Sequence, residues 1–262
     1  MSSCPSGLTL SEACLSSSND TDSDSDYDSL FDGNGDFDEP PSSRSTTDIE
    51  DVVQKHHPAS RSAPPIPGLY LDPTVLIPSD IANRLWTACM GMYFKDGTVN
   101  QIMLFERARS AKLEGEPINR LPPILLELLD TLEKLLKDVV PPDVHALLFP
   151  STDESGQARQ VILNHYRPGE GITPHVDLLK RYGDGIIEPF EIPPESHAVY
   201  LPERSVIVLT EEARYTWTHG ISKRVEDEVE SLDGCLSESL PRGERLSITY
   251  RWLLPGADVV GA

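Results

Sequence analysis

The stretch NHYRPGEGITPHVD, Asn164 to Asp177, marks a change in the texture of the chain. It opens with alternating residues, turns at RPGEG, and ends on His175-Val176-Asp177. On a β-strand, residues i and i+2 face the same way, with Cα atoms roughly 6–7 Å apart. His175 and Asp177 can therefore converge on one ion while Val176 points to the other face. A third ligand is available at His219 in YTWTHGI, 42 residues beyond Asp177. Two imidazoles and one carboxylate on one side of a metal leave the other positions open. That arrangement suits non-haem Fe(II), which must bind a cosubstrate and O₂ together. A structural His–Asp hydrogen bond is the plainer alternative. The remaining histidines compete poorly: His56 and His57 lie in the N-terminal tail, His145 is isolated, and His197 follows a Pro-rich stretch and is expected at the surface.

At the start of the same stretch, Asn164 and Tyr166 share one strand face and His165 takes the other. Amide and phenol groups pointing inward beside a metal would hydrogen-bond a carboxylate or keto acid. A second strand, RLSITYRWLL, carries the complementary signal. Arg245, Ser247, Thr249 and Arg251 alternate with Leu246, Ile248, Tyr250 and Trp252, giving one polar and one apolar face. Two arginines on an inward face are costly unless an anion meets them. Their Cα atoms are roughly 20 Å apart along an extended strand. They would reach a small dicarboxylate from opposite ends, each with a fork that fits a carboxylate. The alternative is a solvent-facing polar strand.

Working outward, QVILNHYRPGEGI, HVDLL, HAVYLPERSVIVLT, RYTWTHGI and RLSITYRWLL are the candidate strands. Ahead of them lie two helices. One is capped at Ser79 and carries Ile81, Leu85, Ala88, Cys89, Met92 and Tyr93 at helical spacing. The other, ILLELLDTLEKLLKDVV, places Leu125, Leu128, Leu132, Leu135 and Val139 on one stripe and ends at VPPD. Both are expected to pack on a sheet. Helices first and strands afterwards indicate an α+β fold with a mostly antiparallel β part.

Residues 1–64 have a different composition. Thirteen acidic residues stand against Arg44 and Lys55 in the first sixty positions, contributing −11 to the net charge of −21. So polar a segment cannot bury enough apolar surface to offset ordering entropy, and a disordered, acidic Ser/Asp-rich tail is expected. Asp22, Asp24 and Asp26 do not begin an EF-hand loop, because Tyr27 and Gly33 stand where Gly and Glu are required. The net charge argues against generic attraction to a nucleic-acid backbone, without excluding a local basic groove. The four cysteines form no CxxC pair. There is no signal-peptide pattern and no stretch long enough to span a bilayer, so a reducing cytoplasmic or nuclear setting without membrane contact is expected.

Taken in order, N-x-Y, H-x-D, H and R-x5-R resemble the AlkB-like 2-oxoglutarate and Fe(II)-dependent dioxygenases over roughly residues 65–255. The resemblance implies a double-stranded β-helix, or jelly roll, buttressed by helices, in a domain spanning 65–262. It implies iron at His175, Asp177 and His219. It implies 2-oxoglutarate held by Asn164, Tyr166, Arg245 and Arg251, with Arg245 on the distal carboxylate and Arg251 near the metal-binding end. The implied chemistry consumes O₂ and 2-oxoglutarate, releases succinate and CO₂, and hydroxylates a substrate C–H bond. On an N-methyl group this ends in demethylation. A methylated nucleic acid or a protein would be the substrate. Base-repair relatives carry an acidic residue soon after H-x-D, whereas Leu178 and Leu179 follow here. The stretch FERARSAKLEG, with Arg107, Arg109 and Lys112, reads either as a lid or as a solvated charged loop.

One departure from the family pattern falls after Ile187. Pro189, Pro193 and Pro194 forbid a central strand over 188–194. The interval from Asp177 to His219 is shorter than in the family, as though one hairpin were lacking in a splice or gene-model variant. A catalytically inactive AlkB-like binding module is the competing expectation. A cupin-like metal protein would account for the three metal-type residues but not for the two-arginine strand.

Overall fold

The computed structural model describes residues 58–106, 121–150, 158–177, 196–233 and 236–254, together with the backbone of 11–17. The first elements are β1 (Ser11–Ser17), β2 (Leu69–Leu76), α1 (Ser79–Tyr93), β3 (Gln101–Glu106), α2 (Pro123–Leu136) and α3 (Pro142–Leu148). Then come β4 (Arg159–Tyr166), β5 (Ile172–His175), β6 (Ser196–Leu201), β7 (Ser205–Leu209) and α4 (Glu211–Tyr215). The chain continues through β8 (Trp217–Ile221), β9 (Glu226–Glu230), β10 (Ser237–Pro241) and β11 (Arg245–Trp252). The fold is mixed α/β, and every pairing between these strands is antiparallel.

The sheet β11-β4-β3 supports the helices. Ile81, Leu85 and Cys89 of α1 and Leu125 and Leu128 of α2 form one core with Val161 and Leu163 of β4. Leu246, Ile248 and Tyr250 of β11 join it, so the apolar half of the alternating β11 pattern faces the helices. The polar half lies on the opposite face. There Arg245 pairs with Tyr166, Ser247 with Asn164, Thr249 with Ile162 and Arg251 with Gln160. Strand period alone produces this division, because a one-residue slip would exchange the two faces.

A four-stranded sheet, β5-β8-β1-β6, carries the histidines. Its edge strand β5 pairs with β8, and Gly220 of β8 lies close against Ile172 and Pro174. A Cβ on Gly220 would lie 2.8 Å from the Pro174 nitrogen and 2.9 Å from the Ile172 oxygen. Glycine is thus required for the backbones to approach this closely. Pro174 has no N–H to give to the ladder. The pairing shifts register between Ile172 and His175, but His175 still sits opposite His219.

Several expectations change. Ser79 is the first helical residue after Pro78, not a side-chain cap. The segment RYTWTHGI begins in the short helix α4 and becomes a strand only at Trp217. Strand β5 ends at His175, leaving Asp177 beyond it. Within the stretch expected to lack structure, Ser11–Ser17 is a strand between β8 and β6. This segment, SEACLSS, has a single acidic residue, a local exception hidden in the acidic average of the tail. The folded part is also already present at Ala59, which is fully buried and bridges Val229. Arg61 donates to the Glu230 carbonyl at 2.6 Å and covers the Tyr200 ring. The lacking hairpin after Ile187 and the charged stretch with Arg107, Arg109 and Lys112 lie outside the described residues.

Candidate metal and anion site

Among the described residues, one group of His and carboxylate side chains is placed to hold a metal ion: His175, Asp177 and His219. The Nε2 atoms of His175 and His219 lie 3.9 and 4.0 Å from the same oxygen, Asp177 Oδ1. These separations are too long for hydrogen bonds. Donor atoms each about 2 Å from a common ion stand roughly 3–4 Å apart. The two imidazole rings are 4.5 Å apart, centre to centre.

The ring of His175 is oriented from behind. Its Nδ1 lies 2.8 Å from the Thr173 carbonyl oxygen. A carbonyl can only accept, so Nδ1 carries a proton, and Nε2 is the ring nitrogen on the Asp177 side. Such a backbone partner fixes the tautomer of a metal-binding histidine. The pKa of His219 is pushed down to about 4, first by burial and further by His175, against the pull of Asp177. Its imidazole is neutral near pH 7, the state that a metal requires.

Asp177 is held by two arginines. Arg251 donates through Nη2 to Asp177 Oδ1. Arg214, on α4, donates through Nη1 to the Asp177 carbonyl oxygen at 3.0 Å. Arg251 therefore joins the triad to the polar face of β11. Asp177 does not share a strand with His175; arginine contacts hold it in place instead. No motif in the sequence points to Arg214, because its partner is a backbone oxygen distant in the chain.

Further along that face, Tyr166 is 4% exposed. Burial raises its pKa, while Arg245 and hydrogen bonds with Ser247 and Asn164 act in the opposite direction. The Arg245 guanidinium lies 5.9 Å from the centre of the Tyr166 ring. Burial is the first cause lowering the Arg245 pKa. The buried Asn164 Oδ1 and Gln160 Oε1 have no hydrogen-bond partner among the described residues. Orphaned buried oxygens cost roughly 1–3 kcal/mol each. Both atoms are acceptors, so a hydrogen-bond donor such as an ordered water, and not a carboxylate, would satisfy them. The donor set fits a divalent ion at one end and a carboxylate at the other.

His165 points to the helix side, between Trp86 and Phe94, as its position opposite Asn164 and Tyr166 dictates. His145 meets the Glu133 carbonyl at 2.8 Å, away from the triad. His197 is half-buried rather than exposed, and its ring lies 5.5 Å from that of Trp217.

No protein-family model matches the chain. It is 38% identical over 104 residues to an uncharacterized protein of Acanthamoeba polyphaga mimivirus, covering 35% of this chain and 47% of that one. It is also similar to tRNA (carboxymethyluridine(34)-5-O)-methyltransferase ALKBH8. The identity is 38% over 85 residues to the Xenopus tropicalis protein, covering 29% of this chain and 14% of the relative. For the Mus musculus protein it is 34% over 112 residues, covering 35% and 17%. The chain thus spans about half the length of the viral relative and a small part of the two animal proteins. The similarity supports an AlkB-like relationship over about a third of the chain.

Proposed function

We propose that the chain is an AlkB-like Fe(II)- and 2-oxoglutarate-dependent dioxygenase with a double-stranded β-helix core. One observation carries the reading: the imidazoles of His175 and His219 face the Asp177 oxygen that Arg251 also grips. This links a facial metal set to a strand bearing a second, inward arginine.

His175, Asp177 and His219 would hold the iron. Arg245 would pair with the distal carboxylate of 2-oxoglutarate, with Tyr166 and Asn164 beside it. Arg251 would keep Asp177 in place near the metal-binding end of the cosubstrate. When bound, iron, O₂ and 2-oxoglutarate supply oxidative decarboxylation to succinate and CO₂, coupled to hydroxylation of a substrate C–H bond. On an N-methyl group, the hydroxylated carbon leaves as formaldehyde. Thr173 would keep Nδ1 of His175 engaged and leave Nε2 for the metal, and His219 is neutral near pH 7.

A methylated nucleic acid or protein is the proposed substrate class. The names of the animal relatives put tRNA among the first substrates to test. Their methyltransferase activity belongs to proteins most of whose length lies outside the match. A cytoplasmic or nuclear location is proposed with it. No helix among the described residues is long and apolar enough to cross a membrane.

The test is succinate release from 2-oxoglutarate by purified protein with Fe(II) and ascorbate. Release above background that His175→Ala abolishes supports the reading. Metal-dependent 2-oxoglutarate binding without succinate release, even with a panel of methylated nucleic acids and peptides present, would leave the binding-module alternative. Neither binding nor release would overturn both.

A further inference from the structure

A second charged group lies buried beside the anion face, and the proposed chemistry does not use it. Asp227, on β9, is fully buried, and Arg242, between β10 and β11, is 7% exposed. Arg242 Nε lies 2.9 and 2.8 Å from the two Asp227 carboxylate oxygens, and Nη2 also donates to Oδ1. Its Nη1 donates to the Ser222 carbonyl just after β8, and its backbone N–H donates to the Val225 carbonyl at 2.8 Å. The side chain thus ties together the end of the His219 strand, β9 and the start of the Arg245 strand.

Arg242 is three residues from Arg245 in the chain, and both Arg242 and Asp227 act electrostatically on Arg245. Without Asp227, two guanidinium groups would share this junction. That would strengthen the attraction for any anion at Arg245. With Asp227 in place, the charge of Arg242 is matched within the protein, so under the dioxygenase reading a cosubstrate carboxylate at Arg245 meets no second unmatched guanidinium. Burying a carboxylate is costly and needs a close cation, which Arg242 provides through paired hydrogen bonds.

We propose that Asp227 is a positioning and specificity residue that limits the anion affinity of the Arg245 pocket by neutralising Arg242. The inference rests on the dioxygenase reading, because it takes Arg245 as the cosubstrate carboxylate site. It predicts a direction that a merely structural ion pair would not give. Removing the negative charge strengthens anion binding, and removing the positive charge weakens it.

The experiment is calorimetric titration of 2-oxoglutarate into full-length protein loaded with Mn(II), with sulfate as a competing anion. Asp227→Asn should lower the Kd for 2-oxoglutarate roughly three- to tenfold and make sulfate a stronger competitor. Arg242→Gln should raise the Kd by a similar factor. The double variant Asp227→Asn/Arg242→Gln should return close to wild type, which also tests the idea if Asp227→Asn alone does not fold. Mn(II) affinity without cosubstrate should stay within about twofold throughout. If wild type binds 2-oxoglutarate but the double variant binds as weakly as Arg242→Gln, or Asp227→Asn binds more weakly than wild type, the inference fails and the dioxygenase reading stands. If wild type shows no metal-dependent 2-oxoglutarate binding, that reading fails and takes the inference with it.

Discussion

Arg251 donates a hydrogen bond to the carboxylate of Asp177, and the two side chains are 14% and 9% exposed. The contact joins a strand of the helix-backed sheet to the loop after β5. It brings a cation to the oxygen that the two imidazoles also face.

Arg251→Met should therefore destabilise the metal-free protein by about 3–5 kcal/mol, because it leaves a buried carboxylate unmatched. A divalent ion supplies the missing positive charge. Mn(II) should raise the melting temperature of the variant more than that of wild type. Thermal unfolding with and without Mn(II) checks this, and an equal rise in both proteins would contradict it.

Gly220→Ala should separate β5 from β8, because the added Cβ meets the backbone of Ile172 and Pro174. The cost should be about 1–3 kcal/mol by urea unfolding, with metal affinity reduced at least tenfold, since His175 and His219 sit on the displaced strands. A Cβ added at Gly91, on α1, would meet nothing within 4 Å. Gly91→Ala should instead stabilise the helix by about 0.5–1 kcal/mol.

Cys89 is fully buried, and burial pushes its thiol pKa up to about 11. A raised pKa keeps the thiol protonated at pH 8, and the thiolate is the nucleophile. Iodoacetamide at pH 8 should leave Cys89 unlabelled in the native protein and label it in urea. Peptide mass spectrometry reads the difference, and native labelling at the urea rate would contradict the buried position.

Strand β1 pairs with β6 on one side and β8 on the other, with Leu15 opposite both His197 and His219. Removing residues 1–20 should leave two unpaired strand edges. Hydrogen exchange at β6 and β8 amides should accelerate, while exchange in β4 and β11 stays slow. Unchanged protection at 217–221 would contradict the pairing.

The polar and apolar faces of β4 and β11 were legible in the sequence because a strand has period two and one face meets the helices. Asn164 with Tyr166 and Arg245 with Ser247 follow from that rule alone. His175 and His219 were legible as residue types, and the structure brings them opposite each other. The placement of Asp177 beyond the strand end was not legible, because it depends on Arg251 and Arg214 rather than on strand period. Arg242 and Asp227 escaped for a similar reason. They are 15 residues apart, and the antiparallel pairing of β9 with β10, which sets Leu240 opposite Asp227, brings them together. The strand Ser11–Ser17 escaped because the composition of the whole tail hid one weakly charged segment.

Calorimetry of 2-oxoglutarate binding to wild type and Arg245→Gln, each with and without Mn(II), puts the joint metal and carboxylate site to its sharpest test. Wild type should bind only when Mn(II) is present. Arg245→Gln should lose at least tenfold in cosubstrate affinity with Mn(II) affinity unchanged, the size expected for a charge-assisted pair. Binding that ignores Mn(II), or an Arg245→Gln affinity equal to wild type, would contradict the dioxygenase assignment of this site.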